Sequence, residues 1–324
     1  MIVTKTPLRL SFFGGGSDIP AFFEKSPGLV VSTSINKHIQ IAINKCEPRH
    51  IKVIYSEFEQ VNDVENVKHT RAKEILKHFN VKSNIEIVSF SDITTNGSGL
   101  GSSSSYTVGL INGIYNHLKY DYNKKDLAEM ACDIEIEKCR EPIGKQDQYA
   151  AAYGGFNAMH FYNDGVEVIP LGMKTSNIKT LNENLLCYNT GITRKTSDIL
   201  SNQVNMISTN SKTFENTKIM VELAKQSIDY LKHNKIDDFG SLLHEGWILK
   251  RELAPNITNE HIDDMYETAM SAGALGGKLL GAGGGGYMLF YVPQKYQDSV
   301  KSKMKEYRRF HFNFTDMGSS AITI

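Results

Sequence analysis

A run of alternating glycines followed by serines, GSGLGSSSS at residues 97–105, is the first feature of this sequence that could do chemistry. Gly97, Gly99 and Gly101 allow the backbone to approach a ligand closely, and the apolar residues after the serines recur at helical spacing. The start of a helix offers unpaired N–H groups and the positive end of the helix dipole. Because no break in composition flanks the run, it predicts a phosphate-binding loop rather than a flexible linker.

The spacing of these glycines matches neither of two common phosphate-binding loops. A Walker A loop needs Gly-x-x-x-x-Gly-Lys-Ser/Thr, which is absent here. A dinucleotide-binding loop needs Gly-x-Gly-x-x-Gly, and in this run the third glycine comes one residue early. The residues alone therefore predict a phosphate-binding loop of unspecified kind.

Two carboxylates outside this run could serve as a metal ligand and a base. On the helix predicted over 124–140, Glu135 lies in a stripe of small residues that indicates close packing. A carboxylate on a packed face needs a partner, and both a metal ion and a buried salt bridge would satisfy it. Asp147 follows a Pro/Gly turn and precedes an alanine-rich stretch, so it could also be an N-terminal helix cap.

The elements that must position these residues follow from the pattern of apolar side chains, which predicts a mixed α and β chain. The predicted strands lie at 29–35, 38–43, 51–55, 84–90, 185–189 and 286–292, with further strands at the end of the chain. The predicted helices lie at 68–79, from the serines to about 118, and at 124–140, 196–233, 236–252, 260–272 and 294–307, and a short helix followed by a strand is predicted within 150–162. A change of pattern near 170–182 predicts two domains, residues 1–178 and 179–324.

Composition limits the classes of function. The 36 basic and 36 acidic residues cancel, so the chain has no electrostatic signature of nucleic-acid or membrane-surface binding. The four cysteines have neither metal-ligand nor disulfide spacing, which favours buried free thiols. No apolar run reaches the roughly 20 residues of a membrane span, and the first residues lack the apolar region of a signal peptide, so we expect a cytoplasmic protein.

Three segments, in order and spacing, resemble the signature motifs of the GHMP kinases (galactokinase, homoserine, mevalonate and phosphomevalonate kinases). They are KTPLRLSFFGGGSD at 5–18, NGSGLGSSSS at 96–105 and KLLGAGGGGYMLF at 278–290. Further details, such as GKQDQYAAAYGG at 144–155 and NTGITRKTS at 189–197, look closest to the D-glycero-D-manno-heptose 7-phosphate kinases of that superfamily. Those enzymes phosphorylate the anomeric hydroxyl of a heptose 7-phosphate on the way to nucleotide-activated heptose for surface glycans.

The resemblance implies an α+β, two-domain GHMP kinase fold. Its N-terminal domain would be like domain 2 of ribosomal protein S5, its C-terminal domain would be ferredoxin-like, and the active site would lie between them. ATP as co-substrate and Mg²⁺ are implied, and the small-molecule partner would be a sugar phosphate. The oligomeric state is left open.

The resemblance also implies roles for individual residues. Phosphoryl transfer depends on positioning the reacting groups and neutralising the charge of the phosphates, so the protein must supply residues for both. Asp147 matches the catalytic aspartate, and Arg9 would hold it in its charged form and stabilise the transferring group. Ser103 and Glu135 match the magnesium ligands. The nucleotide-binding residues would be Gly97, Ser98, Gly99, Leu100, Gly101, Ser102, Ser103 and Ser104. The substrate-binding residues would be Gly15, Gly16, Ser17, Asp18, Arg194, Lys250, Gly283 and Gly284.

Two substrate features follow from these positions. Gly15 and Gly16 replace larger side chains of galactokinase-like members, which opens space beside the sugar and suits a substrate larger than a hexose. Arg194 lies between a predicted strand and a predicted helix, and Lys250 lies on a predicted helix. Both could bind a substrate phosphate, and both could equally be surface charges.

Two other functions remain open at this point. The chain could be a GHMP kinase for an unphosphorylated sugar such as fucose, whose kinases share the form of the first motif. It could also be a sugar and nucleotide sensor without catalytic activity. The presence of Arg9, Ser103, Glu135 and Asp147 argues against the sensor, and the basic residues after 190 favour a phosphorylated acceptor.

Overall fold

A computed structural model describes residues 1–46, 48–93, 97–193 and 196–324. The first half of the chain contains β1 (Ile2–Phe13), α1 (Pro20–Phe23), β2 (Gly28–Asn44), β3 (Ile51–Ile54), β4 (Phe58–Val61), α2 (Thr70–His78), β5 (Ile85–Ser91), α3 (Ser102–Leu118), α4 (Lys124–Cys132), α5 (Gln146–Tyr153), β6 (Phe156–Tyr162) and β7 (Gly165–Pro170). The second half contains α6 (Thr175–Glu183), β8 (Leu185–Asn189), α7 (Thr196–Thr209), α8 (Ser211–Lys232), α9 (Ile236–Arg251), α10 (Glu260–Ser271), β9 (Gly276–Leu279), β10 (Tyr287–Tyr291), α11 (Gln297–Lys303), β11 (Arg309–Phe310) and β12 (Ser320–Thr323). No helix of these ranges is long and apolar enough to cross a membrane.

The long strand β2 is the centre of the first sheet. One edge of β2 pairs with β1, and the other edge pairs first with β6 and then with β5. The strand order is β12-β1-β2-β5-β3-β4, and β7 is added beyond β6. The predicted alternation at Ile39, Ile41 and Ile43 is confirmed, since all three side chains are buried. Helix α3 packs on β1 and β2, which places its start, and the Gly/Ser run before it, at the edge of the core.

The second sheet is antiparallel, with the order β11-β8-β10-β9 within the described ranges. Numbered along the chain, its strands therefore lie in the order 4-1-3-2, which is the ferredoxin-like arrangement. The expected α+β, two-domain fold is confirmed. The last strand, β12, returns to the first sheet and pairs with β1 from Ile2 to Lys5. A boundary at 178/179 would assign β12 to the second domain, although β12 belongs to the first sheet. For the residues before β12, the division into 1–178 and 179–324 stays a prediction.

Three predicted elements differ from the observed ones for identifiable reasons. The strands predicted at 29–35 and 38–43 are one continuous strand, β2, because the exposed residue Asn36 lies within it without ending it. The helix predicted over 196–233 is two helices, because Asn210 caps the second one by accepting a hydrogen bond from the N–H of Thr213 at 3.2 Å. The helix predicted over 124–140 ends at Cys132 and continues as a π-helical turn, Asp133–Lys138.

Strand β1 was not predicted, although it carries part of the first motif. Its residues from 6 to 13 are all buried, so they lack the alternation that marks a half-exposed strand. The short elements β7, α6 and β9 were also not predicted. The helix predicted over 294–307 is shorter, since α11 spans Gln297–Lys303 after a 3₁₀ turn.

The end of α5 is fixed by the C-terminal segment of the chain. Gly154 follows the helix with φ +68°, and a Cβ placed on it would lie 2.1 Å from the backbone N of Gly318. The N–H of Ser319 donates to the carbonyl of Ala151 in the same helix at 2.9 Å. The C-terminal segment therefore holds the helix that carries Asp147.

We predict that Gly154→Ala lowers the free energy of unfolding by about 3 kcal/mol or more, because a left-handed φ and a clash with backbone atoms both oppose the new methyl group. Gly172→Ala is the matched control, since Gly172 has φ +57° but a Cβ placed on it would have no other atom within 4 Å. It should cost only about 1 kcal/mol. Urea denaturation of both variants measures the difference, and equal losses would show that the close approach at Gly154 is unimportant.

Candidate active site

A cavity of about 500 Å³ lies between the two halves of the fold. The Gly/Ser run, β1 and the start of α5 line it from one side, and α7, α9, β9 and the loop after β9 line it from the other. Five basic side chains and three acidic ones face it among the described residues. The basic ones are Arg9, Arg71, Arg140, Lys250 and Lys278, and the acidic ones are Asp18, Glu141 and Asp147. This excess of basic side chains suits anionic ligands.

A two-pronged ion pair between Arg9 and Asp147 lies in this cavity. The Nε and Nη2 atoms of Arg9 donate to the two carboxylate oxygens of Asp147, each at 2.8 Å. The Nη1 atom of Arg9 donates to the carbonyl of Gly99 at 2.5 Å, so the same guanidinium also holds the Gly/Ser run. Asp147 is the second residue of α5 and its carboxylate is used by Arg9, so the alternative of an N-terminal cap is not observed.

The Gly/Ser run forms a tight loop at the start of α3. Gly97, Gly99 and Gly101 have φ values of +66°, +73° and +75°, which favour glycine, and the helix begins at Ser102. A Cβ on Gly99 would lie 2.3 Å from the carbonyl oxygen of Leu280, so the third motif packs directly on this loop. The loop is therefore a fixed part of the structure, as predicted. The residues of the run that line the cavity are Gly97, Ser98, Gly99, Gly101, Ser102, Ser103 and Ser104.

Glu135 is fully buried and its carboxylate accepts four hydrogen bonds. Arg71 donates from Nε at 2.9 Å, and the other donors are Ser104 at 2.7 Å, Thr107 at 2.8 Å and Gln148 at 2.6 Å. The prediction that this carboxylate needs a partner is confirmed, and the partner observed is the basic side chain. Arg71 also donates from Nη2 to Glu141 at 2.5 Å, so it links two carboxylates.

These contacts decide how the site could hold a magnesium ion. Mg²⁺ usually takes one or two protein oxygens and keeps several waters. Ser103 fits such a role, because its side chain is exposed in the cavity and its hydroxyl makes no hydrogen bond to a described residue. A carboxylate has about four acceptor positions, and those of Glu135 are all taken, so direct ligation would require one donor to leave. Direct ligation by Glu135 therefore does not fit the observed arrangement.

Asp18 lies at the other end of the cavity, beside the start of α5. Its carboxylate accepts from the N–H of Gly16 at 2.9 Å and from both the N–H and the side-chain amide of Gln146, at 3.2 and 3.0 Å. Burial raises the pKa of Asp18 above its usual range, against the hydrogen bonds from Gly16 and Gln146, which lower it. A Cβ on Gly15 would meet only ordinary contacts, which agrees with the expected open space there. The open space expected beside Gly16 is not observed, because a Cβ on Gly16 would lie 2.6 Å from Nε2 of Gln203, whose side chain fills it.

Several predicted site residues do not line the cavity. Ser17 is fully buried and its hydroxyl is used within the turn, where it donates to the carbonyl of Gly14 at 2.7 Å. Gly283 and Gly284 pack against Ile257, and Leu100 is a core residue. None of these four residues lines the cavity, so their direct contact with a ligand stays a prediction. Arg194 lies outside the described residues.

Two buried lysines lie near the ion pair of Arg9 and Asp147 and come from the second half of the chain. Lys250 on α9 donates to the carbonyls of Leu279 and Gly281 at 2.8 and 2.6 Å, and Lys278 on β9 donates to the carbonyl of Phe12 at 2.6 Å. Burial, and then the charge of Arg9, lowers the pKa of Lys250 to about 7. Burial also lowers the pKa of Lys278, and the charges of Lys250 and Arg9 lower it further. Lys250 is therefore a cavity residue, and the alternative of a surface charge is not observed.

Sequence reasoning missed Arg71, Arg140, Gln146, Gln203 and Lys278 among the cavity residues. Lys278 begins the third motif, and Gln146 adjoins Asp147, so proximity to a motif could have indicated both. Arg71 reaches Glu135 across 64 positions of the sequence, and Gln203 lies on a helix with no motif. No local pattern marks those two residues.

Comparisons with known proteins agree with this geometry. Residues 66–155 match the family model of the GHMP kinases N terminal domain, and residues 227–309 match that of the GHMP kinases C terminal domain. The chain is 32% identical over 98% of its length to D-glycero-alpha-D-manno-heptose 7-phosphate kinase of Campylobacter jejuni, covering 97% of that protein. It is 24% identical over 94% of its length to the bifunctional fucokinase/GDP-fucose pyrophosphorylase of Arabidopsis thaliana, covering 31% of that longer protein.

Similarity to solved structures extends over the whole chain, and one example illustrates it. It is a D-glycero-D-manno-heptose 1-phosphate kinase from Bacteriodes thetaiotaomicron, with a TM-score of 0.82 and 24% sequence identity. The similarity covers 100% of this chain and 99% of that one, so the two proteins share one fold throughout.

We predict that the free energy of unfolding of the wild type rises relative to that of Lys250→Met as pH increases from about 7 towards 10. The unfolded lysine keeps its proton up to the ordinary pKa of 10.5, whereas the folded one releases it near 7. In that window the unfolded chain binds more protons, so raising the pH favours the folded wild type by up to about 1 kcal/mol per pH unit.

Urea midpoints at pH 7, 8 and 9 measure this difference, and Lys82→Met, at an exposed position, controls for loss of a lysine in general. A difference for Lys250→Met that does not change with pH would show that Lys250 stays charged in the folded protein.

Proposed function

The chain belongs to the GHMP kinases, and on this premise we propose that it transfers the γ-phosphate of ATP to the anomeric hydroxyl of D-glycero-D-manno-heptose 7-phosphate. The product would be the 1,7-bisphosphate, for the synthesis of nucleotide-activated heptose and surface polysaccharide in the cytoplasm. The observation that carries the proposal is the ion pair of Arg9 and Asp147, which lies in one cavity between the Gly/Ser loop and Asp18. The 32% identity to a heptose 7-phosphate kinase supports the choice of acceptor.

The donor end of the cavity suits the phosphates of ATP. The N–H groups at the start of α3 and the positive end of its dipole favour phosphate oxygens, and the glycines leave room for close approach. We place Ser103 on the metal side, where Mg²⁺ would neutralise the charge of the phosphates. For Glu135 we propose only an indirect role in metal binding. Its carboxylate binds Ser104 and Arg71 and so orients both side chains beside Ser103.

The acceptor hydroxyl would contact the part of the Asp147 carboxylate that faces the cavity. Both oxygens of Asp147 accept from Arg9, yet about a quarter of the side chain remains exposed to the cavity. The hydroxyl oxygen forms a bond to the γ-phosphorus, the bond from that phosphorus to the bridging oxygen of ADP breaks, and the hydroxyl proton passes to Asp147. Arg9 balances the charge of the carboxylate, and in a loose transition state the proton is needed late.

The phosphate already on the acceptor requires cations away from the transferred group. From the sequence we propose Arg194, which lies in the chain between the residues of β8 and those of α7. Lys250 remains a second candidate because it lines the cavity, although its two carbonyl contacts place it near the third motif. Arg140 is a third candidate, since it lines the cavity and has no ion-pair partner in the part of the chain that the structure describes.

ADP release tests the proposed function. We predict that heptose 7-phosphate gives a kcat/KM at least tenfold above that for unphosphorylated heptose, fucose, galactose or mevalonate, in a magnesium-dependent reaction. A preference for fucose would identify a kinase for an unphosphorylated sugar. Absence of ADP release with every sugar, in a protein that still binds ATP, would favour a sensor.

We further predict that Asp147→Asn lowers turnover by about two orders of magnitude or more while ATP still binds. The amide keeps the shape of the side chain but cannot take the acceptor proton. Single-turnover phosphoryl transfer and a separate nucleotide-binding titration measure the two effects. Asp133→Asn, a change on the outer face of the π-helical turn, serves as the control. Near-normal turnover of Asp147→Asn would leave Asp147 a structural partner of Arg9.

A further inference from the structure

Beyond the carboxylate of Asp18, the acceptor end of the cavity contains two side-chain amides with unused hydrogen-bonding atoms. Gln146 donates from Nε2 to Asp18 at 3.0 Å, but its Oε1 is buried without a partner among the described residues. Gln203 on α7 is 6% exposed and lines the same cavity, and its side-chain amide makes no hydrogen bond to any described residue. Buried polar groups are normally paired, so two unpaired amides at one place indicate a polar ligand.

The glycines around these polar side chains allow them to approach the backbone closely. A Cβ on Gly16 would lie 2.6 Å from Nε2 of Gln203, so the amide of Gln203 approaches the first motif directly. A Cβ on Gly144 would lie 2.0 Å from Oδ2 of Asp18, so only glycine fits next to that carboxylate. Contacts thus link Gly16 to Asp18 and Gln203, and Asp18 to Gln146, which directly precedes Asp147 in α5.

The chemistry of these groups matches hydroxyls better than a phosphate. An amide oxygen and a carboxylate accept hydrogen bonds, and an amide nitrogen donates, whereas a hydroxyl does both. One hydroxyl could donate to Gln146 Oε1 and accept from Gln203 Nε2, while a neighbouring hydroxyl donates to Asp18. A phosphate would meet the carboxylate of Asp18 and the oxygen of Gln146, and no basic side chain of the described residues bonds to either group, which is unfavourable for an anion.

We propose that Gln146 and Gln203, together with Asp18, form a subsite that binds two adjacent hydroxyls of the acceptor sugar and so determines which sugar is accepted. This inference rests on the proposed sugar kinase function. Gln146 comes from the first half of the chain and Gln203 from the second. The subsite is therefore complete only when α7 lies against the first motif, so acceptor recognition also depends on how the two halves meet.

The test uses the full-length protein and compares the acceptor with its 2-deoxy, 3-deoxy and 4-deoxy analogues. We expect the wild type to lose about tenfold or more in kcat/KM with at least one analogue, since each hydroxyl bound by a paired polar group contributes about that much. Gln203→Leu and Gln146→Met should raise the KM for the full acceptor about tenfold and remove most of the discrimination against that analogue. The KM for ATP should stay unchanged in both variants.

Gln226→Met, which removes an exposed amide on α8, is the matched control and should behave as the wild type. Calorimetric binding of the acceptor in the presence of a non-hydrolysable ATP analogue adds a readout that does not depend on turnover, and thermal unfolding verifies that each variant is folded. Two variants at separate positions keep the test decisive if one of them fails to fold.

The outcomes separate this inference from the proposed function. A wild type that phosphorylates another sugar overturns the heptose assignment, and the same deoxy series made on that sugar then tests the subsite. A wild type that is active on its sugar, with glutamine variants that discriminate among the analogues as the wild type does, overturns the subsite alone. A wild type that neither binds nor phosphorylates any sugar overturns both.

Discussion

The ion pair between Arg9 and Asp147 is the interaction on which the rest of the site depends. Arg9 comes from β1, Asp147 from α5 and the third partner, the Gly99 carbonyl, from the loop before α3. One guanidinium therefore fixes the proposed base and the phosphate-binding loop relative to each other. Removing either charged partner would leave an uncompensated charge in a partly buried place, which is strongly unfavourable. The same pair that could position the reacting groups thus also constrains the fold around them.

A second buried ion pair holds the next residue of α5. Gln148 donates to Glu135, which is bound by Arg71 from α2 and by Ser104 and Thr107 from α3. Two adjacent residues of α5, Asp147 and Gln148, are therefore held by two different buried ion pairs. Because such pairs tolerate little change in geometry, the start of α5 has little freedom to rotate. The π-helical turn Asp133–Lys138 brings Glu135 into this network.

Sequence patterns predicted those parts of the site that follow from local rules. Glycines that need positive φ, a helix that begins at the serines, and a carboxylate at position 135 that needs a partner were all predictable from a few neighbouring residues. The partner of Glu135 was not, because Arg71 lies 64 positions away and no periodicity links the two. Strand β1 was missed because burial on both faces removes alternation. Ser17, Gly283 and Gly284 were assigned to the substrate by motif; in the structure they pack within turns, and their contact with a substrate stays a prediction.

The position of the new phosphate on the product tests the central claim most directly. After turnover with ATP and heptose 7-phosphate, the phosphorus and proton NMR spectra of the product show which carbon carries the added group. If Asp147 receives the proton of the anomeric hydroxyl, the new phosphorus signal couples to the anomeric proton and the free anomeric hydroxyl disappears. Coupling to a proton elsewhere on the sugar, or release of inorganic phosphate without a phosphorylated product, would contradict the account.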